Sequence, residues 1–145
     1  MIINNDTVEL LRECSAGIKM GISAIDEVIS KVKSIKLGQI LSDYRTKHEM
    51  LGKEAEKILK NCGEKTKEPN VIAKGMSWMK TNAMLYVSEK DSTVSDLITD
   101  GCNMGVKSVN KYINKYDSAD EKSKKLAEEI VKMEEEFADE LSVFL

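Results

Sequence analysis

Apolar residues recur three and four positions apart along almost the whole chain, the spacing of amphipathic helices rather than of strands. In the first segment Val8, Ile22 and Ile29 share one row at heptad spacing. Leu11, Ile18, Ile25 and Val32 make a second row, and Cys14, Gly21, Val28 and Ile35 a third. Three adjacent rows give an apolar stripe broad enough to face two neighbours in a bundle. Asp6, with Glu9 three residues on, predicts a capping box at the start of this helix. The turn is expected within residues 33–38, with Ser34 as the N-cap of the next helix.

The second segment alternates two rows: Leu37, Tyr44, Leu51 and Ile58 beside Leu41, His48, Ala55 and Cys62. Gly63 then offers a left-handed C-cap, and residues 64–68 read as a solvated linker ended by Pro69 at a helix start. A shorter helix is expected over residues 70–87, with Ile72, Met76, Met79, Ala83 and Tyr86 on one face. Thr93 with Asp96 predicts the opening of the following helix, whose seam carries Ile98, Cys102, Gly105, Val109, Tyr112 and Tyr116. Ser118 with Glu121 predicts the opening of the last one, which turns Leu126, Ile130, Met133, Phe137, Leu141 and Phe144 inward.

Four long helices and one short one make a single all-α domain over residues 1–145. Consecutive helices with short connections pack antiparallel. The expected architecture is an up-down-up-down four-helix bundle, with the short helix in the central crossover.

Composition narrows the function classes. With 145 residues the chain buries a core without disulfides or a metal. A net charge of −3 argues against a nucleic-acid partner held by phosphate neutralisation. Cys14, Cys62 and Cys102 are too few and too dispersed for a disulfide scaffold or a closed zinc site, and read as buried thiols in a reducing cytosol. The first residues lack the basic and apolar regions of a signal peptide. The longest uncharged stretch, residues 81–88, is far too short to span a membrane. These features point to a cytoplasmic protein without membrane insertion.

Candidate chemistry is sparse. His48 is the sole histidine and lies on an apolar row, where it reads either as a metal ligand or buried base or as a hydrogen-bonded core residue. A di-metal bundle needs about four carboxylates and a Glu-x-x-His on each of two helices. Here Arg45 stands three residues before His48, and the last helix has Glu128, Glu129, Glu134, Glu135 and Glu136 but no histidine. Most of these glutamates flank the apolar row and are expected to be solvated. If a metal site existed, His48 would use Asp43 and Glu49. Gly101 and Gly105 read as a point of close helix approach. Met76, Trp78 and Met79 read as a cover for the bundle or as a ligand groove. The last segment, residues 118–140, holds nine acids against four lysines, a solvated face or an attraction for a basic partner. No phosphate-binding loop is present, and no Ser-His-acid set stands out.

Residues 37–59, with Tyr44-Arg45-Thr46-Lys47-His48 at their centre, resemble the second helix of a group of small bacterial ferritin-like proteins of uncharacterised function. Residues 72–79 and Gly101-Cys102-Asn103-Met104-Gly105 followed by Tyr112 extend the resemblance in element order. The resemblance implies a ferritin-like bundle. In members with a possible metal site, acids flank the glycine of the fourth segment, whereas Asn103 and Val106 stand there in this chain, and the histidine of the last helix is missing. The resemblance therefore implies the fold while counting against iron chemistry. The leading expectation is a non-catalytic bundle without a cofactor, acting through self-association or a protein partner. A di-metal oxidoreductase or metal store, and a small-molecule or lipid binder, are the alternatives.

Overall fold

The computed structural model describes residues 4–63 and 90–145. It contains four long helices, α1 (Asn5–Val28), α2 (Ile35–Asn61), α3 (Asp91–Lys115) and α4 (Glu121–Leu141). Short 3-10 turns, Ile29–Lys31 and Ser142–Phe144, extend α1 and α4. No strand occurs among the described residues. None of these helices is long and apolar enough to cross a membrane. The short helix expected over residues 70–87 lies outside the described residues.

Helix ends follow local chemistry with three corrections. Ser34 caps α2, its side chain accepting from the Leu37 amide at 3.2 Å, and Gly63 adopts φ +75° just past the end of that helix. The first helix, however, is capped by Asn4, whose side chain accepts from the Thr7 amide at 2.9 Å. Asp6 sits inside the first turn and accepts from the Ser118 amide at 3.0 Å. Helix α3 begins at Asp91, two residues before Thr93. Helix α4 is capped by Asp120 rather than Ser118, with the Ser123 amide at 2.8 Å from its carboxylate.

Hydrogen bonds between the helix ends fix the direction of each rod, and they correct the expected topology. The Asp91 carboxylate accepts from the Lys33 and Ser34 amides at 2.8 and 2.9 Å. So α3 starts where α2 starts. At the opposite end, Asn4 donates to the Ser118 carbonyl at 2.7 Å and the Asp120 amide donates to the Thr7 hydroxyl at 2.9 Å. So the α3–α4 turn lies beside the start of α1. Helices α2 and α3 therefore run parallel, and the order is up-down-down-up rather than up-down-up-down. Two antiparallel pairs, α1 with α2 and α3 with α4, pack side by side.

The inward rows meet in one core. Leu10, Leu11, Leu37, Leu41, Leu59 and Leu141 are fully enclosed, and so is Ala127. Burying each such leucine contributes about 1.5–3 kcal/mol. Midway along this core the apolar pattern gives way to His48 and Glu134, both buried.

Candidate functional site

His48 belongs to the row of Leu41 and Ala55 and is 1% exposed. Its Nδ1 lies 2.6 Å from the Tyr44 carbonyl oxygen one turn earlier. A carbonyl only accepts, so Nδ1 carries a hydrogen and donates it. The other ring nitrogen, Nε2, lies 2.6 Å from Glu134 Oε1 across the bundle. With Nδ1 committed, one proton lies between Nε2 and Oε1, and the pair as a whole is neutral. That neutrality allows two ionisable groups to sit in an apolar core at tolerable cost.

Surrounding side chains hold the pair in place. The Tyr44 ring stacks on Phe137, with centroids 4.4 Å apart and planes 3° from parallel. The Phe137 ring meets His48 edge-on, at 6.1 Å and 73°. The Cys102 thiol and Glu134 both line a cavity beside the pair. Burial, then the nearby Glu134 charge, pushes that thiol far up and keeps it protonated. Burial pushes the Cys14 thiol up to about 12. The site thus brings together a hydrogen-bonded imidazole and carboxylate with a thiol nearby, but no thiolate nucleophile.

Above the pair, a cavity of about 200 Å³ opens between α1 and α3. Small residues create it: Ala16, Gly17, Gly21 and Ala24 on α1 face Gly101, Gly105 and Ser108 on α3. Met20, Ile25, Leu97, Ile98, Met104, Val109, Tyr112 and Phe137 supply apolar walls, and His48, Cys102 and Glu134 contribute to the lining. Gly101 and Gly105 were expected to permit close helix approach. Instead, a Cβ on Gly101 would meet nothing within 4 Å, while one on Gly105 would touch Glu134 at 3.5 Å. The first glycine opens the cavity and the second makes room for the carboxylate.

The other sequence candidates go elsewhere. Asp43 is exposed, and Glu49 binds Arg45. Arg45 also pairs with Asp26 on α1 at 2.6 Å, so it braces the outside of the bundle. Hence His48, Asp43 and Glu49 are not brought together. Among the described residues no group of three or more His, Cys, Asp or Glu side chains is arranged to hold a metal ion. The ligands at hand do not fit a di-metal centre: the histidine nitrogen facing the core is taken by Glu134, and the neighbouring thiol is held protonated. Met76, Trp78 and Met79 lie outside the described residues; among the described ones, Met20 and Met104 line the cavity.

Glu134 was expected to be solvated with its neighbours, and it is buried. It lies seven residues after Ala127 and seven before Leu141, both fully enclosed. That heptad row was the available signal.

The cysteines also separate. Cys14 and Cys102 are buried, whereas Cys62 is only half-buried at the end of α2. A thiol-specific reagent added to the native protein is expected to modify Cys62 first and the other two only as the fold opens. Peptide mapping of the labelled sites checks this; early modification of Cys102 would contradict it.

Comparison with protein-family models, with curated proteins and with solved structures gives no match.

Proposed function

We propose that this chain is a non-catalytic, ferritin-like helical bundle that binds a small, mostly apolar molecule between α1 and α3. The cavity of about 200 Å³, lined mostly by apolar side chains, carries this reading. Protein interiors are normally close-packed. Because the space is partly open to solvent, water meets its apolar walls, and an apolar occupant would release that water. An apolar cavity of about 150 Å³ is known to admit benzene, which sets the scale of the occupant. The long connection between the two antiparallel pairs, 28 residues from Gly63 to Lys90, supports the ferritin-like layout.

The test is a titration of the full chain with toluene, followed by thermal denaturation and by chemical-shift changes of the Phe137 and Tyr112 rings. Saturating toluene is expected to raise the melting temperature, since a ligand at a hundred times its Kd adds about 2.7 kcal/mol. Gly101→Leu places a side chain in open space, so the fold is expected to persist while toluene binding is lost. No binding by the parent chain, or equal binding by Gly101→Leu, would overturn the reading.

A further inference from the structure

The cavity between α1 and α3 is longer than it is deep. Its lining runs from Glu13 to Ile25 on α1 and from Leu97 to Tyr112 on α3. At the helical rise those stretches span about 18 and 22 Å. Among the described residues, α2 contributes His48 alone and α4 only Glu134 and Phe137, one turn of that helix. Because α1 is antiparallel to α2 and α2 runs with α3, α1 and α3 point in opposite directions. Ile25 therefore stands at the same end as Leu97, and Glu13 at the same end as Tyr112. The space is a slot along the helix axes. Glycine positions show its reach independently. A Cβ on Gly21 would lie 2.7 Å from His48 Nε2, so Gly21 marks the level of the buried pair. A Cβ on Gly17, about one turn further along α1, would meet nothing within 4 Å. Open space thus continues a full turn past the pair.

Length and volume together limit the shape of an occupant. End walls at van der Waals contact stand about 4 Å off, which leaves roughly 10–14 Å along the slot. A compact body of about 200 Å³ would be only about 7 Å across. A cavity of about 150 Å³ admits the six carbons of benzene, so about 200 Å³ takes roughly eight. Eight saturated carbons in extended form, at about 1.3 Å per bond, reach roughly 10 Å. From this we infer that the ligand is an unbranched aliphatic chain of about eight carbons lying parallel to α1 and α3. Each methylene then leaves water for an apolar wall, so affinity grows by a constant factor per carbon until the slot is full. A ring of the same carbon count is too broad for the slot and leaves its ends unfilled. This inference rests on the cavity reading above and adds the shape and chemical class of the ligand.

The experiment is calorimetric titration of the full chain with butanol, hexanol, octanol, decanol, cyclooctanol and toluene. From butanol to octanol, affinity is expected to rise about fourfold per methylene, the factor that about 0.8 kcal/mol represents. The two further methylenes of decanol are expected to add less than twofold in total. Octanol is expected to bind at least tenfold more tightly than cyclooctanol, which has the same number of carbons. Gly17→Leu places a side chain in the open part of the slot, a turn away from the pair. It is expected to weaken octanol at least tenfold and toluene far less, so that hexanol and octanol bind alike. Cyclooctanol matching octanol, a gain that continues undiminished to decanol, or octanol binding untouched by Gly17→Leu would overturn the chain assignment, while toluene binding kept the cavity reading. Failure of all six probes would overturn both.

Discussion

Glu134→Leu is expected to destabilise the protein by roughly 3 kcal/mol, and His48→Leu by a similar amount, because each leaves one member of a buried polar pair without its partner. At this chain length that corresponds to a fall in melting temperature on the order of 10 °C. The double variant is expected to cost less than either single change. Two leucines restore an apolar layer between Leu41 and Ala55 on one side and Ala127 and Leu141 on the other, all fully enclosed. Replacing a buried pair by well-packed apolar groups is commonly neutral or favourable, whereas breaking one is not. Urea denaturation of the four proteins of this cycle gives the coupling directly. Costs that simply add would mean that the two residues do not act as one unit.

Much of the architecture is legible in the sequence because helix burial is periodic. The rows through Leu11, Ile18 and Ile25 and through Leu126, Ile130, Met133 and Phe137 are buried as their spacing requires. Direction is another matter. An apolar row looks the same whether its helix runs up or down, so periodicity cannot tell up-down-down-up from up-down-up-down. The deciding contacts are between Asp91 and the amides of residues 33 and 34, almost sixty positions away. The caps show the same limit. Asn4 and Asp6 are both suitable cap residues, and the Ser118 amide engages Asp6 from across the bundle. Asp120 and Ser118 offer a similar choice at the start of α4.

The site was half legible. His48 stands out as a lone imidazole on an apolar row, but its partner is hidden among Glu128, Glu129, Glu135 and Glu136, all exposed. The cavity was not legible at all. Glycine and alanine on facing helices can draw two backbones together or leave a gap, and the choice depends on the larger side chains nearby. Here Phe137, Leu97, Ile98 and Ile25 fill the layers around the gap.

Gly21→Ala is the second substitution with a large expected effect, although it adds only one methyl group. The new Cβ would lie 2.7 Å from His48 Nε2 and 2.8 Å from Cδ2. A flexible side chain would swing away, but this ring is held at Nδ1 by the Tyr44 carbonyl, at Nε2 by Glu134 and along its edge by Phe137. Relief requires either breaking one of those hydrogen bonds or moving α1 outward. Overpacking of this kind costs about 1–3 kcal/mol. Loss of the pair's geometry adds to it, and the gain in helix propensity, about 1 kcal/mol, offsets only part. The net expectation is a loss of roughly 2 kcal/mol, read by urea denaturation. Gly101→Ala is the matched control, since it lines the same cavity from α3 and its Cβ meets nothing within 4 Å. There the propensity gain stands alone, and stability is expected to rise by about 0.5–1 kcal/mol. Opposite signs for the two substitutions would show that the His48 ring is fixed against α1 while the space beside Gly101 is open. A stabilised Gly21→Ala would mean that the ring is free to move, and the pinned geometry of the His48–Glu134 pair would have to be abandoned.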